Sequence, residues 1–205
     1  MRHLPLSTPR NQQGVVLFIS LIVLVAMSLA GIALMRSVDT ATLVAGNLAY
    51  KQASLQSSNR AVAVAANWLA ANSAGTGLYN TNTGQGYFSS APGIEPDWYA
   101  NDTWDLGNPV SVNGGALDIA GNKVRYMIHR LCSEANTPEN GSGPSGQPNQ
   151  CARYMPLATG TAGASKSDQA VILYGNPELF YRVTIRVDGP RNTVTITQVN
   201  LLIPT

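Results

Sequence analysis

The chain has 205 residues, 13 Lys+Arg against 11 Asp+Glu, a formal net charge of +2 and only 12% charged residues. So even a balance excludes the basic footprint of a nucleic-acid-binding protein, and so little charge excludes an acidic disordered tail. The Gly-, Asn-, Ser- and Thr-rich remainder suits one folded domain of ordinary size behind whatever the N-terminus encodes.

Residues 1–14 form a short leader with Arg2 and Arg10, ending in Gln13-Gly14. From Val15 to Met35 there is no Asp, Glu, Lys, Arg or Pro, and about 20 apolar residues at ~1.5 Å rise match a hydrocarbon core of ~30 Å. A secretory signal would have a shorter apolar core followed by small residues at a cleavage site. Here the run continues into an Ala-rich segment, and no proline occurs between Val15 and Ala91. A single helix of roughly 60 residues is expected. The leader arginines bias their end to the cytoplasm, which sends the rest of the chain to the other side.

Beyond the apolar run, Ala41, Leu48, Leu55, Val62 and Leu69 recur every seven residues, with Val38, Ala45 and Ala66 beside them and Gln52 and Asn59 as interruptions. An apolar stripe at this spacing predicts packing. The half after Lys51 is expected to pack on the chain's own head domain, and the first half on other helices. Arg36 and Asp39 are spaced to pair on one face. Gly75-Thr76-Gly77 predicts a helix end near Ala74.

The leader ending in Gln13-Gly14, the apolar segment directly after it and the long continuation, GVVLFISLIVLVAMSLAGIALMRSVDTATLVAGNLAYKQASLQSSNRA, resemble the type III signal and N-terminal helix of type IV pilins. They are similar in particular to the PilX family of minor pilins. The likeness covers about the first third of the chain. It implies an α+β, pilin-like fold: a long N-terminal helix, membrane-spanning in its first half and packed by its second half on an antiparallel β-sheet head. It implies removal of residues 1–14 by a prepilin peptidase between Gly14 and Val15, with Val15 as the new, N-methylated terminus. The assembly helix would include Ile19, Ala26, Ala30, Ala33, Ala41 and Leu48. The implied partners are other minor pilins, the major pilin, the prepilin peptidase, the inner-membrane assembly platform and a tip adhesin. The implied location is the bacterial inner membrane, head in the periplasm, before assembly, and the extracellular pilus afterwards. No cofactor is implied. Most pilins carry Glu five residues after the cleavage Gly; here that place is Ile19, a departure shared with the tip pseudopilin of secretion systems. A subunit without that carboxylate suits a tip or initiation complex rather than the repeating shaft. A secretion pseudopilin and a non-assembling, singly anchored binding domain remain as alternatives.

In the head, residues 78–109 are broken by Gly84, Gly86, Pro92, Gly93, Pro96 and Pro109 and are irregular. Trp98 and Trp104 lie there among Asp97, Asn101, Asp102 and Asp105. Their oxygens could serve calcium, but the spacing does not fit an EF-hand, and an aromatic plug with Asp and Asn at its turns is the preferred reading. Val110 to Val112 and Ala116 to Ile119 are expected to form a hairpin about Asn113-Gly114-Gly115. Lys123 to Cys132 is a strand with Val124, Tyr126 and Ile128 on one face and Met127 and Leu131 on the other. Ser133 to Gln150 is a loop by composition, bracketed by Cys132 and Cys151, which would meet an oxidising compartment and can pair. Metal binding by two isolated thiols is set aside.

Residues 160–168 form a second polar loop and Val171 to Tyr174 a short strand. Leu179 to Val187 alternates, with Leu179, Tyr181, Val183, Ile185 and Val187 inward and Phe180, Arg182, Thr184 and Arg186 outward. After a turn at 188–192, Thr193 to Ile203 changes parity, from Val194 and Ile196 to Val199, Leu201 and Ile203, which predicts a bulge near Gln198. No catalytic constellation stands out. His3 is in the leader and His129 in a strand, and no GxGxxG, Walker A or HExxH pattern occurs. The chain is read as a non-enzyme.

Overall fold

A computed structural model describes residues 14–144, 146–156 and 175–204. The leader, the 160–168 loop and the expected 171–174 strand lie outside the described residues. The chain divides into two compact units, up to Ala49 and from Tyr50 onward. Helix α1 is Val15–Asn72, 58 residues, ending two residues before the expected place, where Gly75 adopts the left-handed conformation at φ 84°.

Among the described residues the second unit is built on a six-stranded mixed sheet. Strands β3 (Lys123–Arg130), β5 (Glu178–Gly189) and β6 (Thr193–Pro204) form its antiparallel centre. On β3's other edge lie β1 (Tyr87–Phe88) and β2 (Val110–Ser111), while β4 (Arg153–Tyr154) extends the β3 side of β5. The wholly antiparallel sheet expected from the pilin likeness is thereby corrected, because β1 runs parallel to β3. Gly86 makes that arrangement possible. At φ 59° its amide bonds back to Thr83, its carbonyl accepts Ile128 N–H, and a Cβ would meet the Val110 and Tyr126 backbones at 3.1 and 3.2 Å.

One face of the sheet carries Val124, Tyr126 and Ile128 of β3 and the odd positions 179–187 of β5, as their alternation predicts. These side chains pack with Leu201 and Ile203 of β6 and with Ala61, Ala65 and Leu69 of α1. Burying Leu69, fully inaccessible, contributes about 1.5–3 kcal/mol. The helical stripe that does this differs from the expected one. Ser54, Ser57, Ser58, Ala61, Ala65 and Leu69 are buried, whereas Leu55 is exposed and Val62 only half-buried. Small residues let the helix approach the strands closely, and their hydroxyls are satisfied: Ser54, Ser57 and Ser58 each bond the carbonyl four residues back.

The opposite face is also covered, which corrects the outward assignment of Thr184 and Arg186. Thr184 is fully inaccessible and Arg186 nearly so. The covering segment contains α2 (Asn101–Leu106), with Trp98 and Trp104 packed on Met127, Phe88 and Ile196. Ile196 therefore belongs to this second core and Leu201 and Ile203 to the first. The change of parity needs no bulge; β5 and β6 pair without interruption through Gln198 opposite Thr184. The expected 116–119 strand is absent as well. A 3-10 turn at Val112–Gly115 follows β2, and Asp118 accepts the amides of Ala120 and Asn122 and the Ser57 hydroxyl, so its side chain replaces a ladder.

Candidate assembly helix and processing site

Within the first described unit, helix formation starts at Val15, and Phe18 N–H donates to Gly14 O at 3.4 Å as an early turn of the helix. Gly14 has φ 40°, a conformation that favours glycine, and a Cβ there would meet nothing within 4 Å. Among the described residues nothing crowds the Gly14–Val15 junction, and Val15 is 62% exposed.

From Val15 to Leu48 large apolar side chains are exposed around the whole circumference, including Phe18, Ile19, Leu24, Met27, Met35 and Leu43. The helix is long and apolar enough to cross a membrane by length and composition. Four of its hydroxyls are satisfied within the helix: Ser20 and Ser28 donate to Leu17 O and Leu24 O, and Thr40 and Thr42 to Arg36 O and Asp39 O, all at 2.8 Å. Such bonding lets hydroxyls sit in an apolar medium at little cost. Arg36 and Asp39, spaced to pair, form no ion pair among the described residues. Ala26, Ala30 and Ala33, at i, i+4 and i+7, share one exposed face. Ala41 and Leu48 are exposed too, so the expected assembly residues are all accessible, and Ile19 is 54% exposed.

The remaining sites belong to the second unit. Cys132 and Cys151 are bridged, with sulfurs 2.00 Å and Cα atoms 4.0 Å apart. The loop between them is organised by Asn149, whose side-chain amide donates to Thr137 O and Pro138 O. The acidic 97–105 stretch serves turns and ion pairs. Asp97 accepts Tyr99 N–H, and Asp105 pairs with Arg125 at 2.9 Å.

Three arginines hold the aromatic plug on the sheet. Arg182 reaches both oxygens of Glu95 at 2.8 and 2.9 Å. Arg125 bridges Asp105 and Asp188. Arg186 donates to Asp188, to Asn101 Oδ1 and to the carbonyls of Tyr99 and Ala100. The Trp98 indole N–H, then Arg182, hold the Glu95 carboxyl below its ordinary value. His129 stacks on Phe88 at 4.8 Å, and burial, reinforced by Arg182 and opposed by Glu95, lowers its imidazole to about 4. His129 therefore lies against the plug rather than at an accessible catalytic position.

Sequence reasoning missed Arg130. Its even parity places it on the inner face beside Ile128, where it is fully inaccessible, and that parity was the available signal. Comparison of the chain with protein-family models, with curated proteins and with solved structures finds no match.

Proposed function

We propose that this chain is a minor pilin of the PilX kind, a subunit that joins a type IV pilus through its N-terminal helix and works by assembly rather than catalysis. The observation that carries the proposal is the exposure of apolar side chains on every side of α1 from Val15 to Leu48. Left in water, that surface would cost on the order of tens of kcal/mol, so its working environment is lipid or other helices. The open Gly14–Val15 junction supports cleavage there, because a peptidase must bring its reacting groups close to that peptide bond. The implied partners are the prepilin peptidase, the inner-membrane assembly platform, other minor pilins, the major pilin and a tip adhesin. The small face of Ala26, Ala30 and Ala33 suits close helix approach.

Ile19 supports a place in a tip or initiation complex. A carboxylate at a membrane centre costs on the order of 3 kcal/mol unless a cation accompanies it. A subunit with no neighbour to neutralise is better served by an apolar residue.

N-terminal sequencing and intact mass of the protein from membranes and from sheared pili test the proposal. Val15 as the first residue, with the protein present in sheared pili at far below major-subunit stoichiometry, is the expected result. A retained leader would show a plain anchor. Loss of secretion instead of pili on deletion would show a pseudopilin, and even labelling along the shaft would refute the tip assignment.

A further inference from the structure

Arg130 is fully buried, yet it has no carboxylate partner among the described residues. Its Nη1 donates to Thr137 O at 2.9 Å, while Nε and Nη2 are buried without an acceptor among the described residues. Arg186, the other buried arginine among the described residues, is anchored differently: it binds a carboxylate and three further oxygens. A buried guanidinium with two idle donors is costly, and an anion at those donors relieves it. Glu139, which acts electrostatically on Tyr181 as Arg130 does and has a buried Oε2 without a hydrogen-bond partner, makes no ion pair with Arg130 among the described residues.

The same arginine lines a pocket of about 160 Å³ at the end of the α1 packing face, with Leu78, Tyr79, Leu179, Tyr181 and Pro204 around it. Two features identify the chemistry. The idle donors are the adjacent Nε and Nη2, the edge whose parallel N–H bonds match the two oxygens of a carboxylate. Apart from Arg130 and Ser73 the pocket lining is mainly apolar and aromatic, and at ~30 Å³ per water-sized group the pocket holds about five such groups, a carboxylate with a short aliphatic body. The Tyr79 ring stands over the guanidinium, 5.7 Å from its centroid to Cζ, and is only half-buried. It is the side chain that must swing aside for entry.

We propose that this pocket is a carboxylate-binding site, with Arg130 as the bidentate anchor and Tyr79 as its cover. Its occupant is either a peptide's terminal carboxylate or a free short-chain acid. The site is independent of the assembly helix and stands whether or not the chain is a pilin.

The test uses the full-length protein in detergent micelles and follows the Arg130 Nε–H signal by ¹⁵N NMR at constant ionic strength. Propionate and an N-acetylated Gly-Leu dipeptide should shift it saturably, with Kd on the order of 1 mM, while propionamide and the dipeptide amide should not. Tighter binding of the dipeptide acid than of propionate assigns the site to peptide termini; the reverse assigns it to free acids. Tyr79→Ala should tighten binding several-fold by removing the cover. Arg130→Lys, which keeps the charge but loses the fork, should weaken it by about tenfold or more. If that variant does not fold, the acid-against-amide comparison on the unaltered protein decides. An unmoved signal up to about 50 mM acid in both the unaltered protein and Tyr79→Ala overturns the proposal, as does an equal shift by acid and amide.

Discussion

Trp104 should carry the attachment of the plug to the sheet. Its side chain is 1% exposed, its indole N–H donates to Trp98 O at 2.8 Å, and its ring lies 5.9 Å from the Trp98 ring and under the Arg125 guanidinium. A buried Trp removes about 150–250 Å² from water, which at ~25 cal/mol per Å² corresponds to roughly 4–6 kcal/mol. Alanine keeps part of that and the cavity relaxes in part, so Trp104→Ala should cost about 3–5 kcal/mol. Trp104→Phe keeps most of the area but leaves the Trp98 carbonyl without its donor, and should cost about 1–2 kcal/mol. Urea unfolding of the full chain in detergent, with the disulfide intact, measures both. Hydrogen exchange should also show residues 95–107 opening before β3 and β5. A loss below about 1 kcal/mol for Trp104→Ala, or equal losses for Ala and Phe, would refute the reasoning that buried aromatic area holds this face.

Breaking the Cys132–Cys151 bridge, which spans a sequence separation of 19, should cost roughly 3 kcal/mol through the freed unfolded chain, read as a lower denaturation midpoint for Cys132→Ser or Cys151→Ser. Thiol labelling of both cysteines in the native protein would refute the bridge. Because His129 is lowered to about 4 when folded, against an ordinary 6.5, its protonation favours the unfolded chain. Its contribution is complete above pH ~6.5 and is lost as pH falls towards 4, up to about 3 kcal/mol, and His129→Gln should flatten that slope. Gly14→Arg should block processing, seen as a retained leader mass and reduced piliation; an unchanged mature mass with normal pili would refute the assigned junction.

How much of this was legible depended on side-chain size and on the number of covered faces. The long apolar helix, the 124/126/128 and 179–187 alternations and the turn at 188–192 could be read because large apolar residues report their own burial. The contact stripe of α1 could not, because Ser54, Ser57, Ser58, Ala61 and Ala65 carry almost no hydropathy signal, whereas Leu55 carries a strong one and is exposed. The β6 parity change was visible but misassigned to a bulge, since one-faced patterning assumes a single core. Two cores, one on each face, explain Ile196 and Leu201 on an uninterrupted ladder. Arg186 read as outward for the same reason: a second covering layer is invisible to alternation. At the candidate site, the apolar run was legible, because length and charge alone define it.

The two kinds of surface on α1 bear directly on how such a subunit could change environment. Residues 54–69 present small side chains to the sheet, and that packing is specific because the Ser58 hydroxyl, the Thr197 hydroxyl at 3.3 Å and the Ser57–Asp118–Asn122 group tie helix to strands and loop. Residues 15–48 instead present bulky side chains whose transfer free energy is similar in lipid and in a bundle of apolar helices. The Ser20, Ser28, Thr40 and Thr42 hydroxyls bond the helix's own carbonyls, so moving between those media breaks none of these hydrogen bonds. With Ile19 in place of a carboxylate, the stretch from Val15 to Met35 carries no charge that needs a partner during the move. Under the proposed function, extraction from the membrane into a helical bundle therefore requires no rearrangement within this part of the helix. Its cost falls on exchanging lipid contacts for close contacts along Ala26, Ala30 and Ala33. Bulky substitutions on that face should impair assembly while leaving membrane insertion intact, and a variant such as Ala30→Phe that entered sheared pili at the normal level would show that this face is not the contact.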